Sequence, residues 1–364
     1  MLIYHVWVAS TPRRISIGIG SISMDFTSFF SCGWAGVDIL YTLSGFLLTL
    51  PFARAVIEKI EKPPLRRYFR RRILRVFPAY YAQLGILLIL AWLRIHGEIP
   101  KSGNLLAHVL MLHDFSFEYF TSINGIWWTL PIEFSFYLVL QVLAIFIKKS
   151  RWPMLLVGAV MVTISYRYFM FQAIAQKSVE YKVWLLEQFP GHIDQFVFGM
   201  FAAYFYVKSR RPEISYPKKI LHFFPTACIC FGIIGVILFL YLIHIHVLQY
   251  WDGHFLLFVW HGCVGLLIAL MIYGIAVNGR LSPFLFGNRF MVGIGVVGYS
   301  LYLWHPLLIG WLQRCGLLTN YKGYLFPVLL PVALFASLGV AAFSYLFIER
   351  PFLNIGVGTG EKIV

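Results

Sequence analysis

The chain has 364 residues, of which 60% are hydrophobic and only 12% are charged, and its mean hydropathy is +0.76. An average soluble domain has about 25% charged residues. The composition therefore argues against a disordered chain, a secreted disulfide scaffold and a DNA-binding domain, although the formal net charge is +15. It predicts a polytopic membrane protein built from helices.

The apolar segments, taken in chain order, predict about ten membrane spans. A span needs about 20 apolar residues, and residues 1–10 supply only half of one, without the charged start of a signal peptide. Complete spans follow near 31–50, 73–93, 125–147, 153–172, 189–207, 220–247, 255–277, 290–313 and 324–348. We therefore expect an all-α, polytopic transmembrane bundle over residues 1–352, followed by a short C-terminal tail over residues 353–364.

The loops between the spans predict their orientation, because Lys and Arg accumulate in short loops on the cytoplasmic side. Alternate loops carry 21 Lys and Arg residues on one side, nine of them within residues 54–75, and eight on the other. This alternation predicts that both ends of the chain are cytoplasmic. Most of the positive charge is then explained by topology, and no nucleic-acid partner is expected.

Several signatures of other chemistry are missing. The five cysteines are scattered through apolar segments without a C-x-x-C pair, so we expect no metal site. The sequence has no P-loop, no H-E-x-x-H helix and no G-x-S-x-G elbow. His113 and Glu118 have the spacing of the His-x4-acid pair of glycerolipid acyltransferases, whose acid is Asp, but they fall in a predicted outer loop. We expect no catalysis from them.

Ionisable side chains within the apolar spans are candidates for function, because each costs about 2.5–3.5 kcal/mol to insert. Asp38, Thr42 and Gly45 share one helix face, which we expect to line an internal cavity. The full set of candidates is His5, Asp38, Glu133, His305 and Glu349.

Each of these candidates also has a structural alternative. An intramembrane histidine such as His261 is more often a packing residue held by hydrogen bonds. The alternative role of Glu133 is to brace the helix that follows Pro131, and that of Glu349 is an interfacial pair with Arg350. The Trp and Tyr runs are typical of interfacial anchors.

Five blocks occur in a fixed order along the chain: Trp34-Ala-Gly-Val-Asp38 with Leu43-Ser-Gly-Phe46, Arg71-Arg-Ile-Leu-Arg-Val-Phe-Pro-Ala-Tyr-Tyr81, Trp128-Thr-Leu-Pro-Ile-Glu133, Gly298-Tyr-Ser-Leu-Tyr-Leu-Trp-His-Pro306 and Glu349-Arg-Pro-Phe352. Together they resemble the acyltransferase 3 family of integral-membrane O-acyltransferases. The resemblance implies ten core spans, a bacterial inner-membrane location, and acyl transfer from acyl-CoA to a hydroxyl group, usually of a sugar. Acetyl-CoA is the expected co-substrate, and no bound cofactor is expected.

The resemblance also implies which residues do the chemistry. His5 matches the family's catalytic histidine, whereas the basic residue that precedes it in the family would fall before Met1. We therefore expect the first helix to lack its N-terminal half, through a late start site or a truncated gene. Arg72 and Arg75 match the family's Arg-x-x-Arg, and the family's acidic residues match Asp38, Glu133 and Glu349.

These residues suggest a mechanism. We expect His5 to remove the acceptor's hydroxyl proton, with either Glu349 or Asp38 orienting its ring. Arg72 and Arg75 are expected to hold the phosphates of acyl-CoA, unless the Arg-rich segment is a topology signal only. The predicted acceptor side consists of Glu133, Trp128 and His305. The rival hypothesis is a transporter or flippase of a lipid-linked glycan that uses the same charges as its path.

Overall fold

The computed structural model is almost entirely helical and divides into two compact units. Unit 1 consists of Met1–Trp34, Pro64–Trp128 and Asn288–Val364, and unit 2 consists of Ala35–Pro63 and Thr129–Gly287. The prediction of an all-α polytopic bundle is confirmed. Part of the predicted tail, residues 357–364, lies outside the described residues. The structure describes residues 1–10, 14–19, 22–148, 151–211, 218–278, 283–284, 286–315 and 325–356.

Unit 1 contains the first helix and the last ones. Its helices are α1 (Leu2–Ser10), α2 (Thr27–Ser31), α4 (Leu65–Trp92), α5 (Ser102–Val109), α13 (Arg289–Arg314), α14 (Leu325–Ser344) and α15 (Arg350–Gly356). A π-helical turn, Tyr345–Glu349, joins the last two of these helices. Among the described residues the strands are limited to one antiparallel hairpin, β1 (Ser16–Ile19) with β2 (Ile22–Asp25).

Unit 2 contains the middle of the chain. Its helices are α3 (Gly36–Ile57), α6 (Thr129–Lys148), α7 (Trp152–Ile174), α8 (Val179–Leu186), α9 (Ile193–Ser209), α10 (Lys218–Ile245), α11 (Val247–Tyr250) and α12 (Leu256–Val277).

The long helices agree with the predicted spans. Among the described residues, eight helices are long and apolar enough to cross a membrane, and each overlaps a predicted span. The predicted span at 189–207 corresponds to α9, which has only 17 residues. Helix ends follow local chemistry: α13, for example, begins where the Asn288 side chain accepts a hydrogen bond from the backbone N–H of Met291.

The polar face of α3 packs directly against α9. A Cβ atom added to Gly45 would lie 2.1 Å from the carbonyl oxygen of Phe196, and one added to Gly199 would lie 2.0 Å from that of Thr42. Small residues allow such close approach of membrane helices. The expectation that the face with Asp38, Thr42 and Gly45 lines a cavity is therefore wrong, because the two glycines bring the backbones into contact.

Candidate active site

Helix α1 holds the half-buried His5 beside an apolar cluster of unit 1. The neighbouring Val6 is fully buried in an apolar cluster with residues of α13 and α14, including Ile309 and Leu329. On the other side, Gly33 makes room for the helix, since a Cβ atom there would lie 2.8 Å from the Cβ of Tyr4. These contacts hold α1 against α13, so that His5 faces this helix.

The ring of His5 lies beside that of His305 on α13, with ring centroids 5.0 Å apart and planes tilted by 54°. His305 is only 1% exposed. Its Nδ1 atom lies 2.8 Å from the carbonyl oxygen of Tyr302 and 3.0 Å from that of Leu301. A proline lacks the N–H that an α-helix would direct to the carbonyl four residues earlier, so Pro306 leaves the Tyr302 carbonyl available to the imidazole.

This contact determines the tautomer of His305. A carbonyl oxygen only accepts hydrogen bonds, so Nδ1 must carry the hydrogen, and in the neutral ring Nε2 then carries the lone pair. The Nε2 atoms of both His5 and His305 are buried and have no hydrogen-bond partner within the described part of the chain. The pair therefore presents two unsatisfied ring nitrogens inside unit 1, which is the arrangement that a proton acceptor requires.

A chain of hydrogen bonds holds this part of α13 in place. The Trp127 indole donates to the Gln83 side-chain oxygen at 2.9 Å, and the Gln83 amide donates to the carbonyl of Leu303 at 2.6 Å. The Tyr302 hydroxyl donates to the carbonyl of Ile126 at 2.6 Å. Helix α4 and the segment before α6 therefore brace the turn that bears His305.

A second polar cluster lies on α13 one and a half turns before His305, about 7.5 Å along the helix axis. The Ser300 hydroxyl donates to Glu349 and lies 2.8 Å from the Ser344 hydroxyl. Glu349 is fully buried, and its other oxygen lies 3.3 Å from Nη1 of Arg75, whose side chain is 31% exposed. The π-helical turn that ends at Glu349 brings this carboxylate to the cluster, and such turns are frequent at functional sites.

Arg72 lies one turn before Arg75 on α4 and is half-buried. Its Nε atom is buried and has no hydrogen-bond partner among the described residues. The two predicted phosphate-binding residues therefore differ: Arg75 is held by Glu349, and Arg72 has a donor still available for an anion.

The other predicted site residues have contacts of their own. Trp128 is half-buried beside Phe120, with ring centroids 5.9 Å apart. Glu133 belongs to unit 2, where it accepts a hydrogen bond from the Ser44 hydroxyl at 2.7 Å. Asp38, also in unit 2, meets Nδ1 of His261 at 2.6 Å. Glu349 is not among the described contacts of His5, whose ring lies beside those of His305 and Tyr4.

Comparison with known proteins decides the family. The family model described as an acyltransferase domain, that of the acyltransferase 3 family, matches residues 1–346. The chain belongs to the acyltransferase 3 family. No solved structure was found to match the chain.

Three relatives of this acyltransferase 3 protein have informative names. The exopolysaccharide production protein ExoZ of Rhizobium meliloti is 24% identical over 340 residues, which are 90% of this chain and 92% of the relative. The peptidoglycan O-acetyltransferase OatA of Listeria monocytogenes is 31% identical over 141 residues, 35% of this chain and 22% of the relative. The putative O-acetyltransferase SACOL0978 of Staphylococcus aureus is 23% identical over 349 residues, which are 89% of this chain and 53% of the relative.

Family membership decides between the two hypotheses drawn from the sequence. The acyltransferase 3 protein is an O-acyltransferase, and its long apolar helices make it a multi-pass membrane protein. The transporter hypothesis is not needed. The His-x4-acid spacing is not used in a pair, since His113 is fully buried against the carbonyl of Trp127 at 3.3 Å while the exposed Glu118 lies 3.9 Å from Lys101.

Unit 2 of this acyltransferase 3 protein holds a buried ionic network that the sequence did not predict. Nη2 of Arg167, a fully buried residue, lies 2.7 Å from Oε1 of Glu187, and Nε2 of His192 lies 2.9 Å from Oε2 of the same residue. His261 bridges this glutamate and Asp38, at 3.4 Å and 2.6 Å. His261 is thus held by hydrogen bonds, as expected for a packing histidine.

Three residues of this network also have the composition of a metal site. Ligand atoms of Asp38, His192 and His261 lie within 4.8 Å of one another. Zinc bonds to nitrogen and oxygen of 2.0–2.2 Å would separate tetrahedral ligands by about 3.3 Å. The 2.6 Å contact between His261 and Asp38 is shorter and has the length of a charge-assisted hydrogen bond. The donor set therefore fits a hydrogen-bonded network better than an ion cage.

Proposed function

We propose that the protein transfers an acyl group, with acetyl as the first expectation, from acyl-CoA to a hydroxyl group of a carbohydrate acceptor. The observation that carries this proposal is the pair of His5 and His305, whose buried Nε2 atoms lack hydrogen-bond partners among the described residues. The names of two relatives, an exopolysaccharide production protein and a peptidoglycan O-acetyltransferase, support a glycan acceptor.

In the proposed reaction His5 acts as the general base. A hydroxyl group is a weak nucleophile at neutral pH, so removing its proton as attack begins lowers the barrier. His5 takes the proton while the hydroxyl oxygen bonds to the thioester carbonyl carbon. The carbon–sulfur bond then breaks, the CoA sulfur leaves with the proton, and the product is the ester of the acceptor.

His305 acts through His5 and is a positioning residue. Its Nδ1–H is directed to the carbonyls of Leu301 and Tyr302, so the ring cannot turn without losing both contacts. The lone pair on its Nε2 can then accept a hydrogen bond from the protonated ring of His5. Two adjacent imidazoles do not both become charged at low cost, so the pair takes up the single proton that the reaction releases.

We assign Arg72 and Arg75 to the phosphates of acyl-CoA. Arginine donors suit phosphate oxygens because the guanidinium offers several N–H groups in one plane. Glu349 contacts Arg75 and itself accepts a hydrogen bond from the Ser300 hydroxyl, which makes Glu349 a positioning residue in this proposal. The Nε atom of Arg72, which has no partner within the described chain, supplies a donor.

The acceptor side remains a prediction from the sequence. Trp128 is half-buried and presents an aromatic ring of the kind that stacks on sugars. Glu133 accepts a hydrogen bond from Ser44 and retains lone pairs that can accept one from a hydroxyl group.

The proposal is tested by mass spectrometry of surface glycans from cells that express the protein or its variants. Expression is expected to add an acyl group to a glycan, and His5→Ala is expected to abolish the addition. His244→Ala, a histidine change in α10 of unit 2, is the matched control and should retain it. Unchanged acylation in His5→Ala at equal protein level would refute the role of His5.

A further inference from the structure

Unit 2 contains an apolar cavity of about 590 Å³ between α7, α9, α10 and α12. Ligand pockets of proteins usually measure about 300–1,000 Å³. Side chains such as Trp152, Phe198, Phe205, Leu270 and Val277 form its wall, and Ser209 is one of its few polar residues. The proposed proton acceptor and phosphate site lie in unit 1, and the proposed reaction assigns no role to the residues of this cavity.

The length of the cavity matches one leaflet of a bilayer. On α9 its wall extends from Phe198 to Ser209, and on α12 from Leu266 to Val277. At 1.5 Å per residue each stretch is about 16 Å long, and half of the hydrocarbon core is about 15 Å. Phe205 and Leu266 are 38% and 45% exposed, so the wall is open beside them. An acyl chain lying along these helices would fill the cavity.

Positive charge flanks one end of the cavity. Two residues of its wall have cations as neighbours in the chain. Arg151 precedes Trp152, and Ser209 lies between Lys208 and Arg210. All three cations are exposed. The guanidinium of Arg210 lies over the ring of Tyr206, 5.3 Å from its centre. The loop charges predict that this end is cytoplasmic.

We propose that the cavity binds an acyl chain of an anionic phospholipid and that the lipid phosphate lies against Arg151 and Arg210. Lipid tails are as apolar as the cavity wall, so burial of the chain alone gives little selectivity. Basic pockets between membrane helices select anionic headgroups, and each cation near the surface contributes a factor of about five to binding. The cavity therefore accommodates the acyl chain, and the cations select an anionic headgroup.

The test is native mass spectrometry of the full-length protein in detergent, titrated with phosphatidylglycerol or phosphatidylcholine. We expect one retained phosphatidylglycerol and weaker binding of phosphatidylcholine. Leu270→Trp, which fills the cavity, is expected to weaken phosphatidylglycerol binding at least about fivefold, since overpacked sites resist insertion. Leu238→Trp, the same change at a 52% exposed position of α10 outside the cavity wall, should leave binding unchanged.

A second variant tests the headgroup without altering the cavity. Arg151→Gln with Arg210→Gln is expected to weaken phosphatidylglycerol binding about 25-fold and to leave phosphatidylcholine binding unchanged. Arg66→Gln, an exposed position of α4 in unit 1, is the control. Equal binding of the two lipids, or full binding by Leu270→Trp, would overturn the proposal. So would displacement of phosphatidylglycerol by an equal concentration of palmitoyl-CoA, which would identify the occupant as a long-chain acyl-CoA.

Discussion

The buried ion pair of Arg167 and Glu187 allows a quantitative prediction about stability. Both residues are almost inaccessible, with side-chain exposures of 0% and 9%, and their charged atoms lie 2.7 Å apart. The arginine also donates to the backbone carbonyls of Leu257 and Leu186. The change Glu187→Gln keeps the shape of the side chain but leaves the guanidinium charge buried without its carboxylate.

Breaking a buried pair by removing one partner costs about 3–5 kcal/mol. One kcal/mol lowers the melting temperature of a cooperative unit of 150–250 residues by about 2–4 °C, and unit 2, which contains the pair, has 188 residues. We therefore expect Glu187→Gln to lower the melting temperature by roughly 6–20 °C. His192 and His261 also contact Glu187 and lose the same counter-charge. The decrease in melting temperature is therefore expected in the upper part of this range.

The assay is thermal unfolding in detergent, followed by the fluorescence of tryptophans such as the fully buried Trp260. The matched control is Glu180→Gln, the same change at an exposed position of α8. The control should melt within about 2 °C of the unmodified protein. A melting temperature of Glu187→Gln that equals that of the control would refute the view that the carboxylate compensates the Arg167 charge.

Three further predictions concern the site and its surroundings. Arg72→Gln is expected to raise KM for acetyl-CoA about tenfold or more, because a charge-assisted bond to phosphate is lost, whereas Arg66→Gln on the same helix should not change it. His305→Gln is expected to lower kcat about tenfold or more at unchanged KM, and an unaltered kcat would refute a positioning role. Asp114 lies in the segment between α5 and α6, and burial raises its pKa from 3.8 to about 6. Between these values the folded form binds more protons than the unfolded form, so the free energy of unfolding falls as the pH rises from about 4 to 6. Asp114→Asn should remove this dependence in thermal denaturation, and a slope equal to that of the unmodified protein would contradict it.

The helices could be predicted from the sequence because each span is a long apolar run, and length decides whether such a run can cross a membrane. All nine complete predicted spans overlap helices of the structure. The π-helical turn at Tyr345–Glu349 could not be predicted, since a turn with one extra residue leaves the apolar pattern unchanged. That turn nevertheless decides which neighbours Glu349 meets.

The candidate site was predicted in its residue types but only partly in its contacts. His5, His305 and Glu349 were selected as ionisable groups within apolar spans, and Arg75 was selected through the resemblance to the family's Arg-x-x-Arg. Their pairing follows from helix packing. The His-Pro sequence was the one local signal for the His305 tautomer, because a missing N–H at Pro306 leaves a carbonyl unpaired.

Gln83 and Ser300 were missed among the site residues. A single amide or hydroxyl group in an apolar span is common, and nothing in its spacing reveals its partner. Arg167 lies within the predicted span at 153–172, but its partner Glu187 lies 20 positions away. The contact forms only when the loop after α8 folds back on α7.

In the proposed reaction acyl-CoA is the donor and His5 is the base. Both assignments are tested together by the transfer of isotopically labelled acetyl from acetyl-CoA to a glycan acceptor by the full-length protein in proteoliposomes. We expect transfer by the unmodified protein and a loss of about 100-fold or more in His5→Gln, with the protein still folded. Transfer by His5→Gln at the rate of the unmodified protein, or no transfer from acetyl-CoA by either, would contradict it.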